Sequence, residues 1–186
     1  MKLVKTTVCL GLLLAVATPR VFGGQTNGPQ DVQKSCAIFV QTFYDWYIAK
    51  ALKDKKSSPV ALALKQKGTL FSPALFRRLK ADSEAQTRAS GESVGLDFDP
   101  FLNSQDPSSR YVVGNITVQR ESVLVDVHGV SSGKKNENPD VVAELILRDG
   151  LWLFVNFHYG DRSDRESEDL LSILEEQREN RQKQRR

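Results

Sequence analysis

Cysteine, histidine and long apolar runs are all scarce in this chain, and each scarcity removes a class of reading. Cys9 and Cys36 are the only cysteines among 186 residues, so neither a disulfide framework nor a structural zinc site can be built. His128 and His158 are the only histidines, and no His-Glu-x-x-His motif occurs. A nucleophile elbow and a phosphate-cradling glycine loop are also missing. These absences weaken an enzymatic reading without abolishing it, because acid–base catalysis needs only one or two carboxylates or a histidine. The longest apolar run, VCLGLLLAVA (8–17), is about ten residues, whereas a helix crossing a bilayer needs roughly 20.

That run does have a place. Lys2 and Lys5 precede it and the small residues Gly23 and Gly24 follow it, the layout of a secretory signal peptide over residues 1–23. Cleavage after Gly23, with Val21 at the third position back, is favoured over cleavage after Ala17. The mature chain is therefore expected to be secreted or periplasmic. Cys9 lies too early, and in the wrong local context, for a lipoprotein signal, so no lipid anchor is expected. Cys36 is the one cysteine left, and its place on an apolar helical stripe favours a buried thiol over intermolecular pairing. Removal of Lys2, Lys5 and Arg20 with the leader leaves equal numbers of acidic and basic residues. The excess of positive charge sits in the tail, where Arg178, Arg181, Lys183, Arg185 and Arg186 face only Glu179.

From Asp31 to about Lys56 the apolar residues recur at three-and-four spacing and predict a long amphipathic helix. VALALKQKG predicts a short helix, and Ser72-Pro73 is a capping serine with a proline at the first helical position, opening a third over ALFRRLKADSEAQ. Residues 83–96 read as a polar loop. From Tyr111 the period changes to two, in YVVGNITVQ, SVLVDVHGV, VVAELILR and LWLFVNFHY. Asp149-Gly150 between the last two is the strongest hairpin signal, and SSGKKNENPD (131–140) reads as a loop. A closing helix is expected over roughly 165–182, with residues 176–186 as a frayed basic tail. Together these predict one α+β domain over 30–175. Its N-terminal helices pack on a curved, cone-like antiparallel sheet, and a C-terminal helix closes it.

FVQTFYDWYIAKAL, LFSPALFRRLKAD, GLDFDPFLNSQD and DGLWLFVNFHYG together resemble a family of exported bacterial proteins, the domain of unknown function numbered 3828. The resemblance runs from about Val32 to Leu174. It implies a domain similar to the nuclear-transport-factor-two-like, or cystatin-like, cones, and it implies no established activity, since such cones host enzymes and binding modules alike.

Three groups of residues are candidates for a site. In DFDPFLNSQD, Asp97, Asp99, Asn103, Gln105 and Asp106 are hard oxygen donors. Phe101 stands where a calcium loop needs a ligand and Leu102 where it needs glycine, so no metal is expected. One reading has Phe98 or Phe101 plugging the core while the carboxylates pin the loop; the other makes Asp97, Asp99, Phe101, Gln105 and Asp106 a lip for a ligand or partner. On SVLVDVHGV, Asp126 and His128 share the face opposite Val123, Val125 and Val127, a general-base pair or simply an exposed polar face. In the last hairpin, counting outward from Asp149-Gly150 pairs Leu147 with Trp152, Leu145 with Phe154, Ala143 with Asn156 and Val141 with His158. Trp152, Asn156 and His158 would then share one face and look into the cone, joined there by Tyr44 or Tyr47. Asn156 and His158 bonding neighbouring backbone is the plainer alternative. The tail lacks aromatic residues for base stacking, so nucleic acid is not an expected partner. Asn115-Ile116-Thr117 fits a glycosylation pattern inside a predicted strand and is discounted.

The composite expectation is an exported, non-enzymatic binding domain, without cofactor, for a small ligand or an exported protein partner. One rival is a hydrolase, isomerase or dehydratase using His158, Asn156 and Tyr47. The other is an inhibitor or immunity protein that fills a basic cleft with the acidic loop.

Overall fold

The computed structural model describes residues 29–51, 53, 58–88, 95–160 and 168–184. The expected leader and its cleavage points lie outside them, as do residues 89–94 and the expected start of the closing helix. Helix α1, Pro29–Ala51, buries Cys36, Val40, Phe43, Tyr44, Tyr47 and Ile48, the stripe its spacing predicts. Burial pushes the Cys36 thiol up, which keeps it protonated and unreactive. Helix α2, Pro59–Lys67, starts with Pro59 at its first turn, and the Ser58 side chain accepts the Ala61 N–H. A 3₁₀ turn, Gly68–Leu70, leads to α3, Pro73–Arg88, where Ser72 Oγ accepts the Leu75 N–H at 3.3 Å.

α3 continues through residues 83–88, where the small, polar composition predicts a loop. Polar residues here remain helical because Glu84 pairs with Lys80 and Arg88 one turn away on either side, and Gln86 donates to Asp82. Such pairs stabilise an exposed helix surface without any apolar stripe.

Five antiparallel strands follow: β1 Arg110–Val118, β2 Val123–Ser131, β3 Lys134–Lys135, β4 Val141–Arg148 and β5 Leu151–His158. The main order is β1-β2-β4-β5, with the short β3 paired to the end of β2. β3 lies in the stretch read as a polar loop; Ser132 and Gly133, at φ 53° and 78°, make its turn. The Asp149-Gly150 hairpin has φ of 52° and 77°, the two positive values that a type I′ turn requires. Helix α4, Leu170–Lys183, is capped by Asp169 and runs unbroken into the segment expected to fray. N-terminal helices, an antiparallel sheet and a C-terminal helix thus form an α+β fold.

Both edges of the sheet are partly covered, which limits pairing with other chains. On β1, Gln41 of α1 donates to Tyr111 O at 3.0 Å and accepts the Val113 N–H at 3.0 Å. On β5, the Ser72 N–H donates to Phe154 O at 2.8 Å.

The hairpin register departs from simple counting. Leu147 pairs with Trp152 and Leu145 with Phe154, but Glu144 pairs with Asn156, Ala143 with Phe157 and Val142 with His158. The shift is a β-bulge, which places one extra residue on β5 and reverses which side chains face the core beyond it. Phe154 and Phe157 are therefore both fully buried on the helix side, and Asn156 and His158 share the opposite face with Glu144. The expected common face of Trp152, Asn156 and His158 does not form.

The expected internal hollow is also filled. Phe43 meets Tyr44, Tyr47, Phe71, Phe101 and Phe154 with ring centroids 4.9 to 5.8 Å apart. Such offset and edge-on aromatic packing buries large apolar area and fills the space between the middle of α1 and β5.

Candidate functional site

The DFDPF loop is where the core's tyrosines converge. Phe101 is completely buried, and Pro100 and Leu102 beside it are buried too. Asp99, preceding proline and hence extended, turns its carboxylate inward. Oδ1 accepts the Phe101 N–H at 2.9 Å, and Oδ2 accepts the Tyr47 hydroxyl at 2.6 Å. Tyr44 donates to Phe101 O at 2.7 Å and Tyr159 to Pro100 O at 2.8 Å. The Asp99 carbonyl accepts the Leu102 and Asn103 N–H groups, and Asn103 takes the left-handed φ of 49° that asparagine tolerates.

Burial raises the Asp99 carboxyl to about 6, against the lowering effect of its bonds from Tyr47 and the loop backbone. The same burial, with the neighbouring carboxylate, drives Tyr47 well above the ordinary phenol range. The pair therefore exchanges one proton at mildly acid pH, on the aspartate.

Outside this frame lies a groove of about 360 Å³ between α2, α3 and the loop. Val60, Leu79 and Phe98 contribute apolar wall, and Asp97, Asp99 and Gln105 contribute polar groups. Asp97 and Gln105 are exposed, Asp99 half-buried. Asp106 is exposed but lies outside the groove lining, its N–H bonded to Ser104 Oγ at 3.0 Å. Phe101 is core, not lip.

Asp82, which is not among the sequence candidates, also lines this groove. It is 2% exposed and accepts from Arg181 at 2.8 Å, Gln86 at 3.0 Å and the Leu96 N–H at 3.2 Å. One buried carboxylate thus ties α3 to α4 and to the residue that leads into the loop. A signal was present: Leu75, Leu79 and Asp82 recur on one face of α3, and a charge on an apolar stripe demands a partner.

The remaining candidates are scattered. Trp152 donates to Ser35 Oγ at 3.2 Å near the hairpin turn. Asn156 is a structural clip, donating to Asp169 at 2.7 Å and accepting the Phe157 and Leu171 N–H groups. His158 Nε2 lies 3.0 Å from Glu144 Oε2; that bond lowers the Glu144 carboxyl. Tyr47 is on the other side of the sheet, bonded to Asp99, so His158, Asn156 and Tyr47 do not converge. Asp126 and His128, expected on an exposed face, are only 8% and 5% exposed. The His128 ring packs over Gly114, where any Cβ would collide with it, and its Nδ1 lies 3.0 Å from Asn136 O.

Among the described residues, no group of three or more His, Cys, Asp or Glu side chains is arranged to hold a metal ion, and no helix is long and apolar enough to cross a membrane. Comparison with known proteins found no matching family model, curated protein or solved structure.

Proposed function

We propose that this chain is an exported binding domain that performs no covalent chemistry and takes its ligand in the groove between α2, α3 and the DFDPF loop. The observation that carries the reading is a division of labour within one loop. Asp99 spends both carboxylate oxygens on Tyr47 and the loop backbone, while Asp97 and Gln105 stand exposed at the groove. A rigid lip with a few unspent polar groups over apolar wall is the usual form of a small-molecule site, and a pre-ordered loop reduces the entropy lost on binding.

The ligand class follows from the lining. A carboxylate at the mouth and apolar side chains within suit a ligand with one ammonium or guanidinium group on an apolar body. The exposed Asp97 and Asp106 also favour a second reading, in which the lip meets a basic patch on an exported protein partner.

Titration with phenethylamine, followed by amide chemical shifts, tests the first reading. Saturable shifts at Leu79, Phe98 and Gln105, weakened about tenfold by Asp97→Ala, are expected. Shifts absent from the groove, or indifferent to Asp97, would refute it.

A further inference from the structure

A second groove, beside α1, carries the reverse charge. It has a volume of about 340 Å³ and lies between the C-terminal half of α1 and the start of β1. Its floor is Ile48 with the rings of Tyr44 and Tyr111, stacked at 5.9 Å. Both hydroxyls are engaged elsewhere: Tyr44 donates to Phe101 O and Tyr111 accepts the Ser108 N–H. The groove is therefore floored by ring and aliphatic carbon.

Its rim holds Lys53 and Arg110, both exposed. Neither takes part in an ion pair or side-chain hydrogen bond among the described residues, so both are open to a ligand. Asp45 also lines the groove, but it already accepts the Gln41 amide at 2.8 Å. Lys53 follows the end of α1 at Ala51, so the rim carries two cations, one from the turn after the helix and one from the start of β1, against the single carboxylate of Asp45.

We propose that this groove is a binding site for a small amphipathic carboxylate, its head between Lys53 and Arg110 and its apolar body over Ile48 and Ala49. The guanidinium of Arg110 offers the planar fork that fits a carboxylate, and Lys53 adds a point charge. Asp45, already bonded to the Gln41 amide, leaves the rim with a net positive charge. The site shares no lining residue with the acidic groove, so it stands or falls separately from the function proposed above.

The test is titration of the full mature chain with octanoate, octan-1-ol and octylamine, followed by calorimetry and amide shifts. Octanoate is expected to bind at least about tenfold more tightly than the alcohol or the amine, with shifts confined to residues 44–53 and 109–111. The double variant Lys53→Gln, Arg110→Gln should lose about tenfold or more of that affinity with an unchanged melting temperature. Ala49→Trp, which places an indole in the groove, should abolish binding while leaving both cations in place. Equal affinity for octanol, shifts centred elsewhere, no saturable binding, or retention of affinity in either variant would each overturn the proposal.

Discussion

At Asp99 one carboxylate takes the Tyr47 hydroxyl on one oxygen and its own loop backbone on the other, and it does so in a setting dry enough to lift its pKa to about 6. The consequence for stability has a definite sign. In the unfolded chain the group titrates near 3.8, so between about 4 and 6 the folded state binds the proton more tightly. The stabilisation is complete below the unfolded value and lost as pH rises through about 6. Its full size is about 3 kcal/mol, of which about 2 kcal/mol is lost between pH 4.5 and 7. Asp99→Asn keeps an oxygen for the Phe101 N–H and an amide for the Tyr47 hydroxyl, and carries no charge. The wild-type melting temperature is expected to fall relative to that of Asp99→Asn between pH 4.5 and 7, by about 4–8 °C. Parallel melting curves for the two proteins with pH would contradict the assignment of the shift to burial.

The loop's structural role was legible in the sequence because its signals are local. A proline after Asp99 and an aspartate two residues before Phe101 specify a self-bonded turn. Asp126 and His128 were misplaced because alternation assigns a strand residue to a face without saying what covers that face.

Among the elements, α4 differs most from what its composition suggests. Its last turns are wholly polar, which reads as a fraying tail, yet Arg181 reaches back to the buried Asp82, and Glu175 pairs with Arg78 of α3 and with Arg178. A contact between residues 99 positions apart leaves no periodic trace at either end. Arg181→Ala strands a buried carboxylate that keeps only its bonds from Gln86 and Leu96, and is expected to cost about 2 kcal/mol in urea unfolding. Adding Asp82→Asn should recover part of that loss, since the stranded charge disappears. A neutral Arg181→Ala would mean that the helix end is the solvated tail its composition implies.

The β4–β5 hairpin shows the same limit from another side. Asp149-Gly150 announces its turn, and the first pairs follow by counting. The bulge near Val155 does not announce itself, because it exists to bring Phe157 under the helices alongside Phe154, a demand set by the core. One extra residue sends Asn156 and His158 to the far face, where they bond Asp169 and Glu144.

For the whole molecule, the aromatic core moves the binding question outward. Phe43, Phe71, Phe101, Phe154 and Phe157 fill the middle of the core, so the two grooves proposed as sites lie outside it, one acidic beside the DFDPF loop and one basic beside Tyr111. The alternation of helix and strand periods made the α+β class visible from sequence. Where its hollows fall depends on side-chain volumes across elements distant in the chain, which periodicity does not record.

The most direct measurement sets Asp97→Ala beside Asp99→Ala, recording melting temperature and phenethylamine affinity for each. Asp97→Ala is expected to melt within about 1 °C of wild type, as surface changes do, and to bind about tenfold more weakly. Asp99→Ala leaves Tyr47 and the Phe101 N–H unpaired and should lower stability by about 2–3 kcal/mol. Undiminished binding by Asp97→Ala, or undiminished stability of Asp99→Ala, would contradict a loop in which one aspartate builds the lip and the other meets the ligand.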